Sequence, residues 1–247
     1  SVIGLGYVGL PTAALIARAG YTVHGVDVDA ALIAELSRGE CRLDEPDVNA
    51  VVKEALRSGN LTVSTSATPA NIQIICVPTP VDSDGRADLR MVTAATQSIA
   101  PHVRKGDLVV LESTSPIGTT RTVIGGTLKS FGLDPENDID ICYCPERVFP
   151  GNTLNEILEN DRIIGGLTPA AAARAQAFYQ SFCNGEPVLS TASTAEFSKL
   201  MENTFRDVNI ALANVFARVA ESTDVDVRDV IRLANMHPRV KVHSPGA

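Results

Sequence analysis

Over the first 190 residues, short apolar runs alternate with helical stretches. The runs VIGL (2–5), TVHGV (22–26), LTVS (61–64), IQIICV (72–77), LVVLES (108–113), DICY (140–143), RIIGG (162–166) and PVLS (187–190) read as strands. Alanine-rich or amphipathic segments lie between them, PTAALIARAG and MVTAATQSIA among them. This alternation predicts crossover units and an α/β fold with a doubly wound, mainly parallel sheet. Such crossovers are right-handed almost without exception, which leaves few topologies.

The pattern changes from Ser190 onward. STASTAEFSKLMENTFRDVNIALANVFARVAES holds no glycine or proline, and its apolar residues recur with helical period at Phe197, Leu200, Met201, Phe205, Val208, Leu212, Val215, Phe216 and Val219. Ser193 and Glu196 form an S-x-x-E signature that predicts a capping box at its start. So wide a stripe predicts burial against another surface, and a second copy of the chain is a candidate. VRDVIRLANM predicts a shorter helix after it. The expected division is therefore a domain over 1–190 and an all-helical segment over 191–247. The chain stops at VKVHSPGA, in loop residues, and reads as a piece of a longer protein.

Charge narrows the partners. The net charge is −8. A nucleic acid or an anionic membrane needs a basic face, so neither is expected. A small anionic ligand needs only a local pocket. The chain has no tryptophan and few aromatics, which argues against stacking platforms for single strands. No apolar run approaches transmembrane length. Ser1 is followed at once by the apolar run with no basic stretch, so no secretory leader is read here. Cys41, Cys76, Cys142, Cys144 and Cys183 show no framework spacing, and reduced thiols in a cytoplasmic protein are expected. Cys142 and Cys144 lie two apart on a predicted strand and should face the same way. No histidine–cysteine cluster accompanies them, and no metal site is expected.

The first run leads into GLGYVG, with Gly4, Gly6 and Gly9 at G-x-G-x-x-G spacing between strand and helix. The first glycine allows a tight turn, the second a close approach of backbone to pyrophosphate, and the third close packing of helix on strand. The helix N-terminus then offers its free N–H groups to the phosphates. Asp27 ends the second predicted strand, where an acid meets ribose hydroxyls and repels a 2′-phosphate. Strand, helix and acid in register make this a Rossmann-like dinucleotide site that favours NAD over NADP. A plain tight turn is the alternative.

Three more stretches lie at the carboxyl ends of predicted strands, where open α/β sheets bind ligands. They are ICVPTP with Pro78, Thr79 and Pro80, ESTSPIGTT with Ser113, Thr114 and Ser115, and CPERVFPG with Glu146 and Arg147. Any one alone is ordinary turn chemistry. Their number in one place points to an active site. On the long helix, Lys199, Asn203 and Arg206 share one face. By spacing alone that face reads as solvated.

Together, VIGLGYVGLP, VDVD, CVPTP, STSPIGTT, CPERVFPG, KLMENTFRDVNIALAN and HPRVKVHSPG resemble the UDP-glucose/GDP-mannose dehydrogenase family along essentially the whole chain. Within it, YCPERVFPGNTL, NDRIIGG and KLMENTFRDVNIA are most similar to the branch acting on UDP-N-acetyl-D-mannosamine. The resemblance implies an NAD-dependent, four-electron oxidation of a UDP-sugar C6 alcohol to the uronic acid, which in this family usually serves surface polysaccharides. It implies that Lys199 and Asn203 stabilise oxyanions, that Glu146 positions the hydrolytic water, and that Thr114 orders water near the reacting carbon. Gly4, Gly6, Tyr7, Val8, Gly9 and Asp27 would bind NAD, with Thr79 and Thr114 near its nicotinamide half. Arg147, Arg206, Glu146, Lys199 and Asn203 would hold the sugar nucleotide, and the helix over 193–221 would form a homodimer. The family's nucleophilic cysteine lies in a GGHC-type stretch beyond a Pro-Gly like Pro245-Gly246, and none of the five cysteines here matches it. The chain is therefore expected to bind NAD without completing the oxidation. Three alternatives remain: UDP-N-acetylglucosamine, UDP-glucose or GDP-mannose as substrate, a two-electron β-hydroxyacid dehydrogenase, and a non-catalytic NAD-binding dimer module.

Overall fold

The computed structural model describes residues 1–41, 43–149 and 151–246. Two compact units divide the chain, 1–197 and 198–247.

The first unit is built on a single sheet. Its strands are β1 (Val2–Ile3), β2 (Val23–Val26), β3 (Leu61–Ser64), β4 (Ile72–Ile75), β5 (Leu108–Leu111), β6 (Asp140–Tyr143), β7 (Arg162–Gly166) and β8 (Pro187–Thr191). Each predicted run supplies one of them. Their order across the sheet is β3-β2-β1-β4-β5-β6-β7-β8. Pairing is parallel from β3 to β6. β7 then runs antiparallel to β6, and β8 parallel to β7. The first six strands thus follow the 3-2-1-4-5-6 order of a doubly wound dinucleotide fold, which reverses between β1 and β4.

Alternation along the strands divides the core between the two faces of the sheet. Ile74, Val110, Cys142 and Cys144 pack on one face with α1 (Gly9–Arg18), α3 (Pro46–Ser58) and α7 (Pro169–Tyr179). Ile75, Val109, Leu111, Ile141 and Tyr143 pack on the other with α4 (Arg90–Ile99) and α5 (Gly126–Ser130). Cys142 and Cys144 share a face, as their spacing requires. A π-helical turn over Thr120–Gly125 leads into α5, a feature with no signal in the apolar pattern. The remaining helices of this unit include α2 (Ala30–Ser37), capped by the Asp29 side chain, and α6 (Thr153–Glu159).

Helix α8 runs from Ala192 to Glu221 and starts directly from β8. The expected capping box at its start is not formed. Thr191 Oγ1 accepts from the Thr194 N–H at 3.3 Å. The Glu196 carboxylate is buried and serves another segment. It accepts from the Gly118 N–H at 2.5 Å, the Thr120 N–H at 2.8 Å and the Thr120 hydroxyl at 2.7 Å. The open N-terminus of the π-helical turn outbids the residue's own helix because it offers three donors to one carboxylate.

The second unit holds the rest of α8 and helix α9 (Val227–Ala234), capped by Asp226. Its tail is tied down by two asparagines. Asn214 donates to the Gly246 carbonyl and accepts from its N–H, at 2.8 and 2.9 Å. Asn235 does the same with Val242, at 2.9 and 2.7 Å. Among the described residues no helix is long and apolar enough to cross a membrane.

Candidate functional site

The carboxyl ends of the central strands open onto a groove of about 470 Å³. The glycine turn forms one wall. Gly4 has φ +93°, and a Cβ there would lie 2.6 Å from the Cys76 carbonyl oxygen. A Cβ on Gly9 would lie 1.9 Å from the Gly4 carbonyl oxygen. These two glycines are demanded by the turn itself. Gly6 is different: a Cβ there meets nothing within 4 Å. Its bareness leaves room in the groove, where Gly6, Tyr7 and Val8 line the wall. Helix α1 begins at Gly9 with no side-chain cap and no acid in its first turn. Leu10 donates to the Gly6 carbonyl at 3.2 Å and Pro11 has no N–H, so what the helix start offers an anion is chiefly its positive dipole end.

Asp27 lines the groove at the end of β2. One carboxylate oxygen accepts from the Leu5 N–H at 2.8 Å and the other from the Asp29 N–H at 2.9 Å. The acid is thereby held against the glycine turn, with lone pairs left for a ligand. Thr79, Thr114 and Glu146 line the same groove. Thr79 donates its hydroxyl to the Thr114 carbonyl at 2.6 Å, strapping the loops after β4 and β5 together. Ser113 donates to the Val77 carbonyl at 2.7 Å, and Ser115 to Ser113 at 2.9 Å. Glu146 is half-buried and accepts from the Val148 N–H. Arg147 is exposed and donates to the Asp161 carbonyl at 3.1 Å. It lines a separate, smaller cavity together with Glu146, Glu112 and Arg162. Pro150 of the same stretch lies outside the described residues.

Beneath the groove lies a buried polar cluster with no sequence motif. Glu112 accepts from the Tyr179 hydroxyl at 2.6 Å and the Cys76 thiol at 3.3 Å. Arg162 stands 3.9 Å from Glu112 and 4.6 Å over the Tyr179 ring. Burial, then the Glu112 charge, pushes the Cys76 thiol well up. Burial pushes Cys144 up to about 11, against the opposing pull of Arg162. Buried thiols held in the protonated form are poor nucleophiles.

In the second unit, Lys199 is buried, Asn203 half-buried and Arg206 exposed. A wholly solvated face, the reading from spacing alone, does not describe Lys199.

Residues 1–183 match the UDP-glucose/GDP-mannose dehydrogenase family, NAD binding domain, and residues 193–247 match that family's central domain. The chain belongs to the UDP-glucose/GDP-mannose dehydrogenase family. It is 46% identical over 249 residues to a UDP-N-acetyl-D-mannosamine dehydrogenase of Methanococcus maripaludis, covering 99% of this chain and 56% of that one. A solved UDP-D-ManNAc dehydrogenase from Pyrococcus horikoshii superposes with a TM-score of 0.95 at 44% identity, over 99% of this chain and 59% of that one. The native UDP-N-acetyl-mannosamine dehydrogenase of Staphylococcus aureus gives 0.93 at 42% identity, over 99% and 60%. The chain thus spans less than two thirds of the length of these relatives.

The groove fits the cofactor of this dehydrogenase family. Its glycine wall has one position open to solvent space, its helix N-terminus carries no competing acid, and an anchored carboxylate stands at the end of β2. Cofactor selection therefore favours NAD, because a second negative charge beside Asp27 is repelled.

Sequence reading missed Glu45 and Glu112 and gave Glu196 only a capping role; all three are buried carboxylates. Each lies outside the glycine turn and is satisfied by donors far along the chain. A lone acid in an otherwise apolar stretch, such as Glu112 in LVVLES, was the available signal, since a buried charge demands partners.

Proposed function

We propose that this chain is the cofactor-binding and central part of an NAD-dependent dehydrogenase that oxidises the C6 alcohol of UDP-N-acetyl-D-mannosamine to the carboxylate. One observation carries the reading: Gly6, Asp27, Thr79, Thr114 and Glu146, drawn from separate motifs, line a single groove at the switch point of the sheet. Bound NAD supplies the hydride acceptor. Gly4, Gly6, Tyr7, Val8 and Gly9 hold its pyrophosphate, Asp27 its ribose, and Thr79 and Thr114 its nicotinamide half. Glu146 orients water for hydrolysis. Lys199 and Asn203 donate to the developing oxyanion at C6, and burial of the lysine strengthens such a donor. Arg147 and Arg206 hold the sugar nucleotide.

The thiol required for a four-electron oxidation is not among the five cysteines, four of which are buried. The chain alone therefore binds NAD and does not form the acid. The division at 190, a cytoplasmic location and a role in surface polysaccharide supply belong to the same proposal, and five free thiols support the location. So does a homodimer through α8. Phe197, Met201, Phe205, Val208, Leu212, Val215, Phe216 and Val219 are 44–59% exposed, an apolar stripe that a second copy would cover.

NADH formed per UDP-N-acetyl-D-mannosamine tests the reading, measured on the natural polypeptide that carries this chain and on the chain alone. Two per sugar from the former and none from the latter are expected. One per sugar would replace it with a two-electron dehydrogenase. Preference for UDP-glucose, UDP-N-acetylglucosamine or GDP-mannose would change the substrate and keep the chemistry.

A further inference from the structure

Glu45 stands at the position before helix α3 and is buried, yet its carboxylate does not cap that helix. It reaches two other segments. It accepts from the Thr153 N–H at 3.0 Å, the Thr153 hydroxyl at 2.6 Å and the Gly151 N–H at 3.1 Å. It also accepts from the phenol of Tyr7, whose oxygen meets the Thr153 hydroxyl as well. Thr153 opens α6, and Asn152 before it provides no side-chain cap. Glu45 is thus the anion at the start of α6. Neither Glu45 nor Thr153 is among the residues lining the cofactor groove, whereas Tyr7 is.

We propose that Glu45 is a positioning residue for the dinucleotide turn, forming with Thr153 a latch that grips Tyr7 and sets the turn for NAD. Capping α6 needs only the N–H groups of residues 151 and 153. The phenol is an additional tie, and it ends on the groove wall. A turn made of glycines loses much conformational freedom when a ligand orders it. A side chain anchored in the core before the ligand arrives removes part of that cost. Tyr7, between Gly6 and Val8, is placed to provide this anchor. The same carboxylate fixes the chain just beyond Glu146 and Arg147, so cofactor turn and catalytic loop share one support. A buried carboxylate that loses donors is penalised, which makes the three segments settle together.

The test is NADH titration of the 247-residue chain, followed by nicotinamide fluorescence, for Tyr7→Phe, Thr153→Val and Thr153→Ser. Y7F and T153V each weaken NADH binding, by roughly five- to tenfold. T153S restores the hydroxyl and binds within about twofold of the parent. The double variant Y7F/T153V is no weaker than Y7F alone, because Thr153 acts on the turn only through the phenol that Y7F removes. Unchanged affinity in folded T153V would overturn the proposal, since a merely structural hydroxyl outside the groove leaves NADH unaffected. Multiplying losses in the double variant would overturn it too. If T153V does not fold, Y7F decides, because it leaves Glu45 its donors from Gly151 and Thr153. Unchanged affinity there refutes the latch.

Discussion

Strand β5 and helix α8 treat their apolar residues in opposite ways. Leu108, Val109, Val110 and Leu111 are wholly buried, because helices cover both faces of the sheet. Along α8, Phe205, Val208 and Leu212 are 57%, 58% and 44% exposed. Their hydrophobicity is comparable. What differs is cover: in the first unit helices bury β5 completely, while the stripe of α8 keeps about half of its surface exposed even where Phe205 meets the His243 ring at 6.2 Å. Apolar periodicity therefore reports which side chains seek burial and is silent on whether the same chain provides it.

Truncation in the two regions should separate them most widely. Leu111→Ala, in the fully buried β5, is expected to cost about 4 kcal/mol by urea unfolding. Leu212→Ala in dilute monomer should cost less than about 0.5 kcal/mol. If a second copy covers α8 as proposed, Leu212→Glu shifts sedimentation from dimer to monomer, and an unchanged profile would break the comparison. Next come the glycines. Gly9→Ala drives a Cβ into the Gly4 carbonyl and should cost about 3 kcal/mol. Gly6→Ala meets nothing in the fold and should melt like the parent while losing NADH affinity. Equal melting of the two would contradict the division between a turn glycine and a groove glycine.

Glu196→Gln tests whether the start of α8 belongs energetically with the first unit. It removes the charge from three hydrogen bonds and should cost about 2 kcal/mol. Smallest is a pH effect. Burial raises the Glu45 carboxyl, but hydrogen bonds from Thr153, Tyr7 and Gly151 outweigh it and hold the group down at about 2. Its ordinary value is 4.5. A depressed carboxyl contributes stability that is fully present above pH 4.5 and fades as pH falls toward 2. Stability of the parent should fall through that window more steeply than that of Glu45→Gln. Parallel curves would show that Glu45 is not held in its ionised form.

Much of this architecture was legible in advance. The eight strands were readable because short apolar runs leave a local imprint. The glycine turn was readable because its spacing has a steric cause, seen in the 1.9 Å approach at Gly9. The S-x-x-E signature at Ser193 misled because a local motif competes with any distant donor set, and at Glu196 the distant set prevailed. The cysteines of CYC were assigned correctly by period alone.

By itself, then, the sequence determined the α/β alternation, the doubly wound class, the dinucleotide turn with Asp27, and the helical stripe that seeks a partner. Each depends on chain geometry within a few residues: a period of two, a period near 3.6, or a φ open only to glycine. Tertiary structure alone decided the reversal at β7, the buried Glu112–Arg162–Tyr179 floor, and the destinations of Glu45 and Glu196. The partners of Glu45 and Glu196 lie 38 to 108 residues away along the chain. A carboxylate carries no mark of which donors will surround it. The sheet order brings those donors together, and only then does the buried charge find the groups that satisfy it.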